Sequence, residues 1–127
     1  MSRQPIQTEH APAAIGPYSQ AVRAGQWVFL SGQIPLDPAS GEVVEGGIEA
    51  QARRAFDNLK AVCTAAGGDL GGIQRLGLYL TDLSQFAAVN AVMGEYFSAP
   101  FPARSTIEVS ALPKGVAFEV DAILLID

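Results

Sequence analysis

From Ile48 to Ala66 the apolar residues Ile48, Ala52, Ala55, Phe56, Leu59, Val62, Cys63 and Ala66 recur at the spacing of one helical face. Arg53, Arg54, Asp57 and Lys60 fall on the opposite side, and Glu49 precedes Arg53 by one turn as a supporting charge pair. Gly67-Gly68 supplies the expected stop. A second helix is predicted from Asp82, with Gln85 in the pattern of a capping box, to about Phe97. Phe86, Val89, Met93 and Phe97 form its buried stripe, with Asn90 beside Val89. Elsewhere the pattern shortens to that of strands. Ser19–Arg23 and Trp27–Ser31 flank the turn Ala24-Gly25-Gln26 and read as a hairpin. Ile73–Thr81, residues 103–110 and Val116–Ile126 are further strands, and a short edge strand fits the polar first eleven residues around Ile6. Two irregular stretches stand out. One is APAAIGPYSQA, with two Pro and one Gly; the other is residues 31–47, with Pro35, Pro38 and four Gly.

The order strand, strand, helix, strand, helix, strand, strand predicts an α+β fold in one domain over residues 1–127, with both helices on one face of a mixed sheet. Two helices cover one face only. Apolar residues nevertheless fall on both faces of Trp27-Val28-Phe29-Leu30 and of Ile123–Ile126. The uncovered face therefore calls for further copies of the chain. Composition points the same way: 49% hydrophobic and 17% charged residues, with a mean hydropathy of +0.22, is apolar for so short a chain.

Charge and cysteine usage narrow the function. A net charge of −5 without Lys/Arg runs speaks against nucleic acid, where phosphate neutralisation dominates affinity. No stretch suits a membrane span or a basic amphipathic anchor, and the polar MSRQPIQTEH is not a signal peptide. A single Cys excludes an internal disulfide, and a single His makes a metal site unexpected. Cys63 reads as a packed small hydrophobe. The expectation is an intracellular, cytoplasmic protein with no membrane or nucleic-acid partner.

The strongest candidate chemistry lies in FPARSTIEV, residues 101–109. Pro100 and Pro102 end the preceding helix, and the chain then runs as a strand. Alternation sets Arg104, Thr106 and Glu108 on one face. It sets Ser105, Ile107 and Val109 on the other, which reads as core. A guanidinium matches a carboxylate with two parallel bonds, so Arg104 suits a small carboxylic acid. The same Arg also fits a solvated strand position paired with Glu108 or another acid. On the last strand Glu119 and Asp121 interrupt an apolar face, as residues at a solvated edge would.

IGPYSQA (15–21), SGQIP (31–35), the Asn90 region, PARSTIEV (102–109) and FEVDAI (118–123) follow one another at a spacing that resembles the YjgF/RidA family over essentially the whole chain. The resemblance implies a chorismate-mutase-like fold and a homotrimer with a central β-barrel and clefts between subunits. It implies hydrolysis of enamine and imine intermediates such as 2-aminoacrylate, 2-iminopropanoate and 2-iminobutanoate to 2-keto acids and ammonia, a role in metabolite damage control. Arg104 would clamp the substrate carboxylate. Glu119 would orient or deprotonate water and pass a proton to ammonia. Backbone near Thr106, Ser31 and Gly32 would complete the contacts, Tyr18 would close the cleft, and Asn90 would line it. No cofactor or metal is implied. Some members carry Cys where this chain has Thr106, which removes any mechanism needing a thiol there. A non-catalytic trimer sensing small carboxylates is the alternative.

Overall fold

The computed structural model describes residues 2–127. Strands β1 (Gln4–Ile6), β2 (Ala21–Ala24) and β3 (Trp27–Gln33) precede helix α1 (Ile48–Ala65); β4 (Ile73–Leu80), α2 (Phe86–Tyr96), β5 (Ala103–Glu108) and β6 (Phe118–Leu125) follow. The strands form one mixed sheet in the order β1-β2-β3-β6-β4-β5. Only β4 and β5 run parallel, and α2 is the crossover between them. This is the α+β architecture expected from the pattern.

Local chemistry explains the boundaries. Gly25, at φ +63, makes the β2–β3 turn in a conformation that suits glycine. At the end of α1, Gly67 takes φ +89; its N–H donates to Thr64 O and that of Gly68 to Cys63 O, a Schellman cap. Asp82 caps not α2 itself but the single 3-10 turn Leu83–Gln85, accepting from the Ser84 N–H at 2.9 Å. The last strand starts later than the alternation suggested, at Phe118, because Pro113–Gly115 forms a 3-10 turn ahead of it.

Both helices lie on one face of the sheet. Val28, Leu30, Leu76, Leu78, Leu80, Phe118, Val120 and Leu124 point into that layer and are buried. Phe56 of α1 sits at its centre, with ring centroids 5.3 Å from Tyr96, 5.9 Å from Phe97 and 5.6 Å from Phe118. The expected α2 stripe holds for Val89, Met93 and Phe97; Phe86 is only half-buried, and Val92 joins the core instead. Cys63 is buried, and its thiol is pushed up to about 12 chiefly by that burial.

The irregular stretches are tied down by two buried amides. Asn58 of α1 donates to the carbonyls of Ile34 and Leu36 at 3.1 and 3.0 Å and accepts from Arg54. Gln20 accepts from the Thr8 N–H at 2.7 Å and donates to Thr8, Ala11 and Pro12 carbonyls. On the outer surface Arg53 forms a two-pronged pair with Glu95 at 2.8 and 3.1 Å, whereas the Glu49 partner expected from spacing stands 3.9 Å away. The other face of the sheet is open. It exposes Trp27, Phe29 and Ile107 to 44, 45 and 48%.

Candidate functional site

Arg104 is positioned by the parallel register of β4 and β5. Its Cα pairs with Leu76, which faces the helices, so the guanidinium also turns toward the helix layer. There it meets three residues of α2. Nη1 donates to Asn90 Oδ1 at 2.6 Å and to Met93 Sδ at 3.3 Å, and the guanidinium carbon lies 5.1 Å from the centre of the Phe86 ring. All three partners are neutral. Glu108, the acid expected to compete for it, instead accepts from the Leu83 N–H at 2.9 Å. Among the described residues no carboxylate lies within ion-pair distance of Arg104, and none supplies an acceptor to its Nε or Nη2. A fixed cation with unused donors on a cavity wall attracts an anion. That cavity, of about 340 Å³, is lined by Asn90, Met93, Gly94, Phe101, Pro102 and Arg104.

The expectation for the opposite face of β5 is corrected. Ser105 and Ile107 are not core; they belong to the open face of the sheet and are exposed, because β5 is an edge strand and both helices lie on the other side. Ser105 Oγ accepts from Arg75 Nη2 at 3.0 Å. Thr106, in register with Leu78, is half-buried on the Arg104 side.

Glu119 lies elsewhere. It belongs to β6, which runs between β3 and β4, so it is not at a sheet edge as its pattern suggested. Its neighbours Phe118 and Val120 are buried toward the helices, and Glu119 therefore faces the open side. Its carboxylate rests against the backbone of Gly32 at the irregular end of β3, where a side chain would collide with Oε2. Burial, and secondly the negative Asp121 two residues on, raise its pKa above the ordinary 4.5. Asp121 in turn accepts from Tyr79 Oη at 3.0 Å, and burial followed by that bond holds the phenol protonated beyond its usual range.

Beside this second cluster, Ser31 spends its hydroxyl on the Ser19 carbonyl at 2.6 Å, and its N–H donates to Gln20 O at 2.9 Å. Tyr18 is 53% exposed on the Pro-rich loop and shares a small cavity wall with Gly32, Gln20 and Lys114. One chain thus brings Arg104 to Asn90, and Glu119 to Gly32, but sets the two pairs on opposite faces of the sheet. Phe86, Met93, Gly94 and Phe101 escaped attention as site residues. The signal for two of them was present: Met93 and Gly94 follow Asn90 at the i+3 and i+4 spacing of one helix face.

A family model described as Endoribonuclease L-PSP matches residues 8–126. The chain belongs to the YjgF/RidA family. Among curated YjgF/RidA relatives, Protein DfrA of Myxococcus xanthus is 55% identical across 97% of this chain and 95% of its own length. The 2-iminobutanoate/2-iminopropanoate deaminase of Capra hircus is 46% identical across 95% of this chain and 88% of its own length. Among solved structures, RidA from an Antarctic Psychrobacter superposes with a TM-score of 0.94 at 50% identity, covering 98% of this chain and all of that one. The YjgF/RidA fold thus spans the whole described sheet and both helices. Among the described residues no helix is long and apolar enough to cross a membrane, and no group of three or more His, Cys, Asp or Glu is arranged to hold a metal ion.

Proposed function

We propose that this chain is a hydrolytic deaminase of small 2-imino acids, acting in the cytoplasm as a homotrimer. The observation that carries the reading is the Arg104 guanidinium, held by Asn90, Met93 and Phe86 with donors left free toward a cavity. The name of the Capra hircus relative supports the same chemistry.

The substrate class joins a carboxylate to a carbon–nitrogen double bond. Arg104 binds the carboxylate and fixes the imine carbon next to it. Glu119 takes a proton from water as the water oxygen bonds to that carbon and returns it to nitrogen; it then takes the hydroxyl proton as the carbon–nitrogen bond breaks and passes it to the departing ammonia. The sum is protonated imino acid plus water giving 2-keto acid plus ammonium, balanced in atoms and charge with no redox step. 2-Iminopropanoate gives its three-carbon keto acid, 2-iminobutanoate the four-carbon one, and 2-aminoacrylate enters through its imine tautomer. Because the imine is already reactive, positioning and electrostatics suffice. Tyr18, Ser31, Gly32, Asn90 and Thr106 shape the site. The exposed Trp27, Phe29 and Ile107 give each chain an apolar face for two others, whose sheets close into a barrel. With Arg104 and Glu119 on opposite faces of one sheet, each cleft takes its Arg from one chain and its Glu from the next.

One observation favours a second reading. A single chain carries the carboxylate anchor without an acid–base group beside it, which is what a non-catalytic sensor of small carboxylates needs. RNA cleavage, the activity in the family description, fits less well with a net charge of −5 and a sole, exposed His10 in the N-terminal segment.

The test generates imines in situ with an amino-acid oxidase and follows their loss. The wild type accelerates it, and Arg104→Ala lowers kcat/KM by at least about 100-fold while light scattering shows an unchanged assembly. No acceleration by wild type, together with keto-acid binding that depends on Arg104, would establish the sensor instead.

A further inference from the structure

The cavity beside Arg104 has one wall that lacks a side chain, for an unusual reason. Gly94 lies inside α2, where glycine is the poorest helix former after proline. A glycine is kept at such a place when a left-handed backbone or close packing demands it. Neither applies: Gly94 has no positive φ, and a Cβ added to it would meet nothing within 4 Å. Its missing side chain instead leaves space in the cavity that Arg104 lines.

The walls are graded from polar to apolar. Asn90, Met93 and Gly94 share one face of α2. Asn90 holds the guanidinium at one end. Gly94 is one turn further on, about 6 Å along the axis, the reach of roughly four or five bonds of an extended carbon chain. Met93 adds a deformable thioether, and Phe101, 63% exposed, and Pro102 complete the lining.

We infer that Gly94 sets the substrate class of this site, admitting 2-imino acids whose apolar side chain extends four or so carbons along α2, as in the imines of leucine, methionine or norleucine. This rests on the deaminase reading for turnover, but the claim about the pocket does not depend on turnover.

The experiment measures kcat/KM for imines made in situ from alanine and from norleucine, in wild type and in Gly94→Ala and Gly94→Leu. Both substitutions install better helix formers, so the variants fold, and thermal unfolding checks it. The norleucine-to-alanine ratio is expected to fall with side-chain size, by about 10-fold or more in Gly94→Leu. In parallel, calorimetry measures binding of the corresponding six-carbon and three-carbon 2-keto acids. The longer acid is expected to bind wild type more tightly, and that preference is expected to vanish in Gly94→Leu. A ratio and a binding preference that are both indifferent to Gly94→Leu would overturn the inference. Loss of the binding preference without any turnover in wild type would uphold the pocket and overturn the deaminase reading.

Discussion

Arg104 and Glu119 share a sheet and face away from each other. Arg104 pairs with Leu76 of β4 and Glu119 pairs with Tyr79 of the same strand, so they stand three residues apart along β4 and on its two flanking strands. Two strand spacings alone make about 9.5 Å, and the side chains diverge to opposite faces. No three-carbon acid touches both in one chain. Any chemistry that needs both must draw them from different chains.

That geometry makes complementation the sharpest check on a shared site. Arg104→Ala and Glu119→Gln proteins are expected to be inactive separately. When the two are refolded together in equal amounts, random assembly gives about a quarter of the clefts an intact Arg from one chain and an intact Glu from the other. Imine hydrolysis should recover to about that fraction of wild type. No recovery, in mixtures shown by mass spectrometry to contain both chains, would mean that the two residues do not meet across chains.

The grip on Arg104 separates the fork from the charge. Arg104→Lys keeps a cation but loses the planar pair of donors and the stack on Phe86. A lost bond to a charged group is worth about 1.5–3 kcal/mol, so kcat/KM should fall about 10–100-fold. Asn90→Ala leaves the guanidinium intact but less fixed. Its expected signature is a several-fold higher KM for the imino acid with a smaller change in kcat. Steady-state kinetics on both variants distinguishes them.

Much of this arrangement was legible from pattern, and what was not has a physical origin. Alternation correctly grouped Arg104 with Thr106 and Glu108. It could not say which group faces the helices, since that depends on the register of β5 against β4, a long-range property. Ile107 therefore read as core although it lies on the open face. Glu119 and Asp121 read as edge residues because strand order is invisible to periodicity; β6 pairs with both β3 and β4. The Asn90–Arg104 bond joins two elements and has no local signature. Helix α1 was the easiest to place, because its period, charges and Gly67 stop all agree.

Asn58 anchors the long loop after β3. Asn58→Ala strips the buried Leu36 carbonyl of its donor, leaves Ile34 O with only the Leu36 N–H, and opens a small void. One unsatisfied buried carbonyl costs about 1–3 kcal/mol, so a loss of about that size in unfolding free energy is expected. Denaturant titration checks it. Asn58→Asp retains shape but not the donors, and should be no better. A loss below about 0.5 kcal/mol in both would show that the loop is held by other contacts.

In the proposed mechanism Glu119 links pH to stability and to turnover in opposite senses. Burial first, and Asp121 second, raise its folded pKa above the unfolded 4.5. The folded state thus holds this proton more tightly than the unfolded one. Its contribution to stability is full below the unfolded pKa and is lost as pH rises through the folded value. At neutral pH the ionised side chain is therefore a cost to the fold, reduced by its partial exposure to water. Glu119→Gln should unfold at the same temperature as wild type or higher near about pH 7, and the advantage should shrink below about pH 4. Turnover needs the opposite form: a general base must be ionised, so the acid limb of kcat/KM should lie above the ordinary carboxylate range. Asp121→Asn removes the like charge and should move that limb to lower pH, by less than the whole shift because burial is the larger cause. Thermal melts and pH–rate profiles on the two variants check both. A limb that does not move in Asp121→Asn would separate Glu119 from the proton transfer.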